Sequence, residues 1–337
     1  MPLLDVRAPI EFQKGAMPNS HNAPILDDQE RAQVGLAFKT LGNAAATKLG
    51  HELVSGALKS ARVEGWISFV KQNPQAMIMC WRGGQRSQIA QQWLKNAGYS
   101  VTRVTGGYKQ LRQICLDTLD QASINQRPWW VIAGRTGVKK TVLIQRLNTS
   151  IDLEGIAHHR GSAFGAHGSA QPTPASFENA LAVAYANHDQ PIVVLEDESR
   201  TIGRLALPER WHHRMQQTSL VLIEASVESR VEHIVDEYIH QALAAEPPLV
   251  LEKRYRDSLK RISKRLGDSR HKTIDNLLIK AFAGNNSHHS WVHALLNGYY
   301  DPMYDYQLEK KKPRVKYAGP IEQVHEFLAE QARQAAV

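Results

Sequence analysis

The sequence is poor in cysteine and lacks long apolar runs, and each absence excludes a class of protein. Its 337 residues include two cysteines, Cys80 and Cys115, which excludes a small secreted scaffold held together by disulfides. No apolar run reaches the ~18 residues that a membrane-spanning helix needs. The first residues also lack the charged and apolar segments of a signal peptide. We therefore expect a cytoplasmic protein with no membrane partner.

Acidic residues are outnumbered by basic ones. The sequence has 33 Asp and Glu against 41 Lys and Arg, which gives a formal net charge of +8 at pH 7. Such a balance predicts a polyanionic or phosphorylated partner. The hydrophobic share of 42% is ordinary for a globular protein, and the chain length predicts two domains.

Strand-like and helix-like segments alternate in two successive patterns along the chain. In the first pattern, strands are expected at residues 3–6, 77–79 and 101–104, and helices at 30–41, 47–58, 64–72, 87–96 and 108–119. In the second, strands are expected at residues 129–133, 192–195 and 220–224, and helices at 141–147 and through 228–298. The alternation predicts parallel sheets with helices on both faces. The expected fold class is therefore α/β.

A polar segment with a proline separates the two patterns, and we interpret residues 123–128 as a linker. The chain is then expected to consist of an N-terminal parallel-sheet domain at residues 1–122 and a second α/β domain at residues 129–298 with a helical C-terminal part. Residues 299–337 form a last segment that either packs on the second domain or contacts the partner.

Cys80 ends an apolar strand and opens a loop rich in glycine and arginine. The loop residues are Trp81, Arg82, Gly83, Gly84, Gln85, Arg86 and Ser87. Two glycines let backbone N–H groups curl around an anion, and the following helix start and the arginines add positive charge. A cysteine at the base of such a loop is expected to be a nucleophilic thiolate near neutral pH. Persulfide-carrying sulfurtransferases and phosphatases both use this arrangement.

The alternative for Cys80 is a buried structural cysteine at a strand end. Apolar burial alone does not require two glycines and two arginines in the next six residues, so the reactive interpretation is favoured. Cys115 is the contrasting case. It lies between two apolar residues of an expected helix, where packing in a core is the simpler role.

A second glycine-containing loop follows the strand at residues 129–133 and opens a helix. Its residues are Gly134, Arg135, Thr136, Gly137, Val138, Lys139, Lys140 and Thr141. This context is that of a Walker A loop, whose backbone N–H groups cradle phosphates. Lys140 is then the phosphate-binding lysine and Thr141 the hydroxyl that holds Mg²⁺. Lys139 occupies the position of the second glycine, where a side chain costs ~1 kcal/mol or more if φ is positive. The alternative is a lysine-rich helix start that binds no ligand.

Acidic residues end the strand expected at residues 192–195. Glu196, Asp197 and Glu198 would reach a metal ion or a general-base position beside the phosphate loop, with Asp197 and Thr141 as the candidate Mg²⁺ ligands. A loop of small residues and potential cations is expected near the same site, as an anion-binding or flexible loop. Its residues are His158, His159, Arg160, Gly161 and Ser162. Adjacent histidines rarely bind one ion together, so metal binding is the weaker alternative for this loop.

Residues 251–272 carry nine Lys or Arg against three Asp or Glu. At helical spacing, Leu251, Tyr255, Leu259, Ile262 and Leu266 share one face, and a basic stripe runs opposite. The stripe is either a solvated helix face or a track for RNA phosphates. The tyrosines and basic residues at 299–314 suit either stacking on unpaired bases or packing of the tail. The candidate RNA contacts are Lys253, Arg256, Lys260, Lys264, Lys310, Lys311 and Lys312.

The N-terminal motifs resemble those of a rhodanese domain. The matching residues are Asp5-Val6-Arg7, Glu11-Phe12, Gly15-Ala16-Met17, Asn22-Ala23-Pro24, Cys80, Val104 and Gly106-Gly107-Tyr108. Ordinary rhodanese loops of this kind have four residues between cysteine and arginine, whereas five separate Cys80 from Arg86. We expect the longer loop to form a wider cradle that admits a tetrahedral anion such as selenophosphate.

Together with the second loop, these motifs resemble the tRNA 2-selenouridine synthase family, in which a rhodanese domain precedes a P-loop domain. The resemblance also covers residues 155–165, 195–200 and 299–311, and so extends over nearly the whole chain. Members usually have a short segment before the first strand, and we expect such a piece to be missing here.

The resemblance implies a two-step exchange on tRNA that carries 2-thiouridine at the wobble position. Geranyl diphosphate first alkylates the sulfur, and selenium from a selenophosphate donor then displaces the geranylthiol to give 2-selenouridine. No tightly bound cofactor is implied, and Mg²⁺ is the candidate ion. Two alternatives stay open: an ATP-dependent persulfide sulfurtransferase acting on tRNA, and a P-loop regulatory or binding protein whose rhodanese domain is not catalytic.

Overall fold

The computed structural model describes residues 1–166 and 168–336, and the chain divides into two compact units. The first unit comprises Met1–Leu119 and Thr173–Val183, and the second comprises Asp120–Pro172 and Ala184–Val337. Each unit contains a parallel sheet, so the expected α/β class is confirmed. Within the described ranges, no helix is long and apolar enough to cross a membrane.

The first unit contains four short strands. They are β1 (Leu3–Asp5), β2 (Ser20–Asn22), β3 (Met77–Met79) and β4 (Thr102–Arg103). They form a parallel sheet in the order β2-β1-β3-β4. Strand β2 is absent from the sequence prediction because its residues are polar, and it lies at the sheet edge where polar side chains are tolerated. The resemblance of this unit to rhodanese stays a prediction.

Five helices connect these strands or follow them. They are α1 (Pro9–Gln13), α2 (Asp28–Leu53), α3 (Gly56–Gln72), α4 (Gln85–Asn96) and α5 (Gly107–Ala122). Helix α2 is interrupted at Gly42, whose φ of +85° and ψ of −176° are not helical. Glycine adopts such a φ without steric cost, and it explains the break that the sequence predicts between residues 41 and 47.

Helix α8 (Pro174–Ala186) comes late in the chain, but residues 173–183 belong to the first unit. Asn179 is fully buried there, donates a hydrogen bond to the Ala16 carbonyl at 2.9 Å and accepts one from Arg112 at 2.9 Å. Arg112 also pairs with Glu178. The range 129–298, expected as one domain, is therefore interrupted by an element of the first unit. An apolar pattern at helical spacing predicts that a helix face is buried, but it does not predict which unit's hydrophobic core buries it.

The second unit contains a second parallel sheet. Its strands are β5 (Trp129–Ala133), β6 (Val193–Glu196), β9 (Ser219–Ile223) and β10 (Val315–Gly319). Their order is β10-β9-β5-β6. A separate antiparallel pair is formed by β7 (Thr201–Ile202) and β8 (Leu205–Ala206). The sequence prediction does not include β10. In the structure, the segment after residue 299 contributes this strand to the edge of the sheet.

Ten helices complete the second unit within the described residues. They are α6 (Lys140–Arg146), α7 (Leu153–Ala157), α9 (Glu209–Gln217), α10 (Val227–Val235), α11 (Gln241–Ala245), α12 (Pro248–Leu266), α13 (Asp268–Phe282), α14 (His288–Leu295), α15 (Asp301–Lys311) and α16 (Ile321–Ala335). All five residues of the apolar face predicted within 251–266 are buried. They pack against α10, α13 and α14 in a core of mainly helical residues.

Candidate active site

The carboxyl ends of the parallel strands bring the N-terminal motifs to one edge of the first sheet. Asp5 ends β1 and Cys80 follows β3, and both are buried. The fully buried Arg7 side chain pairs with Asp5 at 2.6 Å and donates to the Gly15 carbonyl at 2.9 Å. Its guanidinium also lies 3.8 Å from the ring centroid of Tyr108. Asp5 and Arg7 therefore hold the framework around the cysteine loop rather than reacting themselves.

The Cys80 loop is tightly curled, and its backbone approaches neighbouring backbone closely. Cys80 Sγ lies 3.3 Å from the hydroxyl of the fully buried Ser87. Gly83 has a φ of +63°, and a Cβ there would lie 2.6 Å from the Val104 carbonyl oxygen. Within the described chain, no acceptor takes the backbone N–H groups of residues 81–86. These N–H groups and the start of α4 match the anion-binding loop that the sequence predicts.

The two arginines of this loop have different surroundings. Arg86 binds both carboxylate oxygens of Glu11. Burial by itself would raise the pKa of Glu11, but the hydrogen bond and charge of Arg86 outweigh burial and hold that pKa below its ordinary value. Arg82 is exposed. Arg86 is thus a fixed, partly neutralised charge, whereas Arg82 has no acidic partner among the described residues.

Cys80 lies at the wall of a cavity of about 1060 Å³ in the first unit. The sides of the cavity are apolar and come from both halves of α2 and from α4. Cationic side chains also border it, among them Lys14, Arg31, Lys39 and Arg82. Burial raises the pKa of the Cys115 thiol, and Cys115 does not line this cavity. The roles of Cys80 as a site cysteine and of Cys115 as a packing cysteine stay predictions.

The second loop, Gly134 to Thr141, follows β5 at the carboxyl edge of the second sheet. A Cβ on Gly134 would lie 2.9 Å from the Ile223 carbonyl oxygen, and one on Gly137 would lie 2.9 Å from the Arg230 carbonyl oxygen. Both glycines are therefore needed for the close packing of the loop. Lys139 has a φ of +67°, the conformation for which the sequence pattern calls for glycine.

The two ligand-binding side chains expected in this loop, Lys140 and Thr141, form hydrogen bonds with other residues of the second unit. Lys140 Nζ donates to the Gly134 carbonyl at 3.0 Å, so it folds back across the loop. The Thr141 hydroxyl donates to Glu154 Oε2 at 2.9 Å. Glu154 is absent from the sequence-derived candidates, although an acidic residue within a short segment after a phosphate loop was a signal available in the sequence.

Two buried carboxyl groups, Glu154 and Glu198, interact with Lys140, and a third, Glu196, lies close to Glu154. Burial raises the pKa of Glu154, raises that of Glu196 well above its ordinary value, and raises that of Glu198 to about 8. Among the described residues, Glu196 Oε1 has no hydrogen-bond partner, and Oε2 accepts from the Leu153 N–H at 3.1 Å. A pKa of about 8 means that Glu198 keeps its proton near neutral pH.

Asp197 differs from its neighbours because it is neutralised by a lysine. Lys311 Nζ lies 2.6 Å from Asp197 Oδ2, and the Asp197 side chain is 6% exposed. Thr141 is meanwhile bound to Glu154, so the two expected Mg²⁺ ligands each have another partner. In the described part of the chain, no group of three or more His, Cys, Asp or Glu side chains is arranged to hold a metal ion. Mg²⁺ at Thr141 and Asp197 stays a prediction.

The expected loop at residues 158–162 does lie beside the carboxylates. A Cβ on Gly161 would meet oxygens of both Glu154 and Glu198, at 2.5 and 2.7 Å. Arg160 pairs with Glu237 at 2.7 Å. Burial and the charge of Arg261 lower the pKa of His159, so that imidazole stays neutral. Ser162 lies 3.5 Å from the Tyr238 hydroxyl, and His158 Nε2 lies 2.6 Å from the Ser169 hydroxyl.

The candidate RNA contacts separate into exposed and engaged side chains. Exposed residues on the outer face of α12 are Lys253, Arg256, Lys260 and Lys264. Arg256 is bound to Asp275 at 2.8 Å, whereas no described acidic side chain pairs with the three lysines. Lys311 is bound to Asp197, Lys312 pairs with Glu309 at 3.1 Å, and Lys310 lies 4.2 Å from the Tyr306 ring centroid. The lysines of α12 are the free cations of this set.

Comparison with known proteins identifies relatives over almost the full length. Residues 127–335 match a family model described as the tRNA 2-selenouridine synthase AAA domain. A protein of Shewanella loihica named tRNA 2-selenouridine synthase is 43% identical, over 98% of this chain and 93% of its own. Proteins with the same name from Marinobacter nauticus and a Sulfurovum species are 43% and 42% identical, over 97% and 98% of this chain and 94% of their own lengths.

Proposed function

The chain belongs to the tRNA 2-selenouridine synthase family, and we propose that it replaces sulfur by selenium at the wobble uridine of tRNA in two steps that pass through an S-geranyl intermediate. The first unit, with its cysteine loop, serves the selenium step. The second unit, with its phosphate loop, binds the diphosphate of the geranyl donor. The partner is a tRNA that already carries 2-thiouridine.

In the first step, the sulfur at C2 of the 2-thiouridine base attacks C1 of geranyl diphosphate. A carbon–sulfur bond forms, the bond between C1 and the diphosphate oxygen breaks, and the diphosphate leaves with the electron pair. The base loses its N3 proton. Lys140 and the backbone N–H groups of the Gly134–Thr141 loop are the groups suited to hold the diphosphate, once Lys140 releases the Gly134 carbonyl.

In the second step, selenium of selenophosphate attacks C2 of the S-geranyl base, and the carbon–sulfur bond at C2 breaks. The geranylthiolate leaves with the electron pair and takes a proton to become geranylthiol. Water then attacks phosphorus and breaks its bond to selenium, which releases phosphate and leaves 2-selenouridine with a proton on N3. Alkylation makes the sulfur a better leaving group, which is the chemical reason for the intermediate.

One observation carries this proposal: Cys80 lies at the wall of a large cavity and at the base of a loop whose six N–H groups at residues 81–86 have no acceptor among the described residues. Such a loop binds a tetrahedral anion beside the thiol. The five residues between Cys80 and Arg86 suit the selenophosphate anion in this position. Cys80 orients the donor within this loop.

The test is mass spectrometry of the tRNA wobble nucleosides after incubation with geranyl diphosphate alone, selenophosphate alone, and both together. We expect S-geranyl-2-thiouridine with the first donor, no change with the second, and 2-selenouridine with both. Cys80→Ser is expected to stop at the geranylated nucleoside, and Cys115→Ser is the matched control that completes both steps. A requirement for ATP, or sulfur transfer without either donor, would instead support the persulfide sulfurtransferase.

A further inference from the structure

The volume of the cavity beside Cys80 is much larger than a site for one small anion requires. Small-molecule sites in proteins enclose roughly 300–1,000 Å³, and this cavity measures about 1060 Å³. We propose that it holds the geranyl chain of the S-geranyl nucleoside during the selenium step, with C2 of the base facing the Cys80 loop. This inference rests on the proposed function, because it assigns a place to the leaving group of that reaction.

The lining has the character that a prenyl chain requires. Val34, Leu36 and Phe38 come from the first half of α2, and Ile89 and Trp93 come from α4. The helix is interrupted at Gly42, and residues of both halves of α2 border the same space. The surface of the cavity is mostly apolar, and burial of an alkyl chain against such surface is favourable for each CH₂ group.

Two of these side chains are exposed although they are large and apolar. Leu36 is 63% exposed and Phe38 is 58% exposed. Neither contributes to the cores of the first unit. Exposed apolar surface that no core explains commonly marks a binding site. The occupant must be apolar, and it must reach the cysteine loop that ends the same cavity.

Charge at the cavity border fits the rest of the substrate. Four cationic residues, Lys14, Arg31, Lys39 and Arg82, line the cavity together with the apolar side chains. A nucleotide carries its phosphates on one side and, in the S-geranyl form, an apolar chain on the other. Apolar walls with a cationic border match that division. An apolar peptide or a lipid tail would use the walls but would leave the cysteine loop and its N–H groups without a role.

Other spaces of the second unit border its phosphate loop, and one of about 500 Å³ beside Lys139 is lined mostly by charged and polar side chains. The enclosed one, lined by Phe164, Trp291 and Tyr300 among others, measures about 30 Å³, enough for about one water molecule. A more open groove of about 540 Å³ borders Val138 and includes the exposed Ser229. This groove lies in the unit without Cys80 and therefore serves as the competing location in the test.

The experiment supplies tRNA that is already geranylated, together with selenophosphate, and measures the selenium step alone. The double variant Leu36→Ser/Phe38→Ser is expected to raise KM for the geranylated tRNA about tenfold, with kcat at saturation retained. Both side chains are already exposed, so the midpoint of thermal unfolding should not change. Leu41→Ser is the matched control, since Leu41 is 73% exposed on the same helix but does not line the cavity.

Two results would overturn the assignment. One is a double variant with wild-type KM, and the other is a rise in KM caused by Ser229→Trp, which fills the groove of the second unit. A different result would reject the proposed function instead: wild-type protein that does not convert geranylated tRNA to 2-selenouridine at all. The wild-type reaction and the variant comparison therefore separate the two failures.

Discussion

Lys311 Nζ donates hydrogen bonds to both carboxylate oxygens of Asp197, at 2.9 and 2.6 Å. This pair ties the end of α15 to the end of β6, next to the phosphate loop. Arg135 of that loop binds Asp305 of the same helix at 2.9 Å through each of two nitrogens. Residues 301–311 are thus anchored at both the loop and the strand, and the charges of Asp305 and Lys311 have partners within the second unit.

The exposed lysines of α12 and the engaged Lys311 give opposite predictions. Lys260→Ala is expected to weaken tRNA binding and to reduce the slope of log affinity against log salt by about 1 if that side chain contacts a phosphate. Lys311→Ala should leave the slope unchanged but lower the free energy of unfolding by roughly 1–3 kcal/mol, because Asp197 loses its partner. Salt-dependent tRNA titration and urea denaturation measure the two effects. An equal salt slope for Lys260→Ala and wild type would remove α12 as the tRNA track.

The backbone at Lys139 predicts a gain from glycine. Its φ of +67° is left-handed, which costs a residue with a side chain about 1 kcal/mol. Lys139→Gly should raise the free energy of unfolding by about that amount and strengthen binding of a diphosphate ligand. Lys139→Ala is the control, because it removes the charge and keeps the backbone cost. If alanine restores binding as well as glycine does, the side chain and not the backbone was the obstacle.

The two glycines of the cysteine loop are expected to respond differently to alanine. A Cβ on Gly83 would lie 2.6 Å from the Val104 carbonyl oxygen at a φ of +63°, whereas one on Gly84 would meet no atom within 4 Å. Gly83→Ala should therefore cost roughly 1–3 kcal/mol of stability. Gly84→Ala should be neutral in stability but raise KM for selenophosphate, because the open space beside it belongs to the anion. Equal stability losses in urea denaturation would contradict this difference.

The buried carboxyl groups predict a pH dependence of stability. The pKa of Glu198 is raised by burial from 4.5 to about 8. Between those values the folded state keeps a proton that the unfolded state loses, so the free energy of unfolding falls as pH rises through this window. Glu198→Gln should flatten that fall by up to about 1.4 kcal/mol per pH unit. Glu209→Gln, at an exposed position, is the control. A slope for Glu198→Gln equal to that of the control would mean that Glu198 is ionised when folded.

The sequence predicts those parts of the fold that depend on local pattern. Trp129–Ala133 and Met77–Met79 are strands at the predicted residues, and the apolar face of α12 is buried as its spacing requires. Periodicity and apolar runs are local properties of the sequence, so they predict an element without knowledge of the distant segments that pack against it. The positive φ at Lys139 was also predictable, because the loop pattern states which position turns.

Features that depend on distant segments were not predictable in this way. Strand β10 forms only because β9 offers an edge, and α8 joins the first unit through Asn179 and Arg112. The contact between Thr141 and Glu154 likewise requires the fold to place α7 beside α6. The sequence does not predict the apolar cavity, because Leu36 and Phe38 do not follow the spacing of a core-facing helix. That both side chains line one cavity is visible only when both halves of α2 are in place.

Helix α8 has a consequence for how the protein can be divided. The chain passes from one unit to the other after residues 119, 172 and 183. Two polypeptides produced by a break at residues 123–128 would each be incomplete: the first would leave Arg112 without Asn179, and the second would carry a helix that has no core of its own. The pieces should be insoluble or unstable when expressed alone and should reassemble when expressed together, by helix complementation, so that a functional split of this enzyme is expected only from paired fragments.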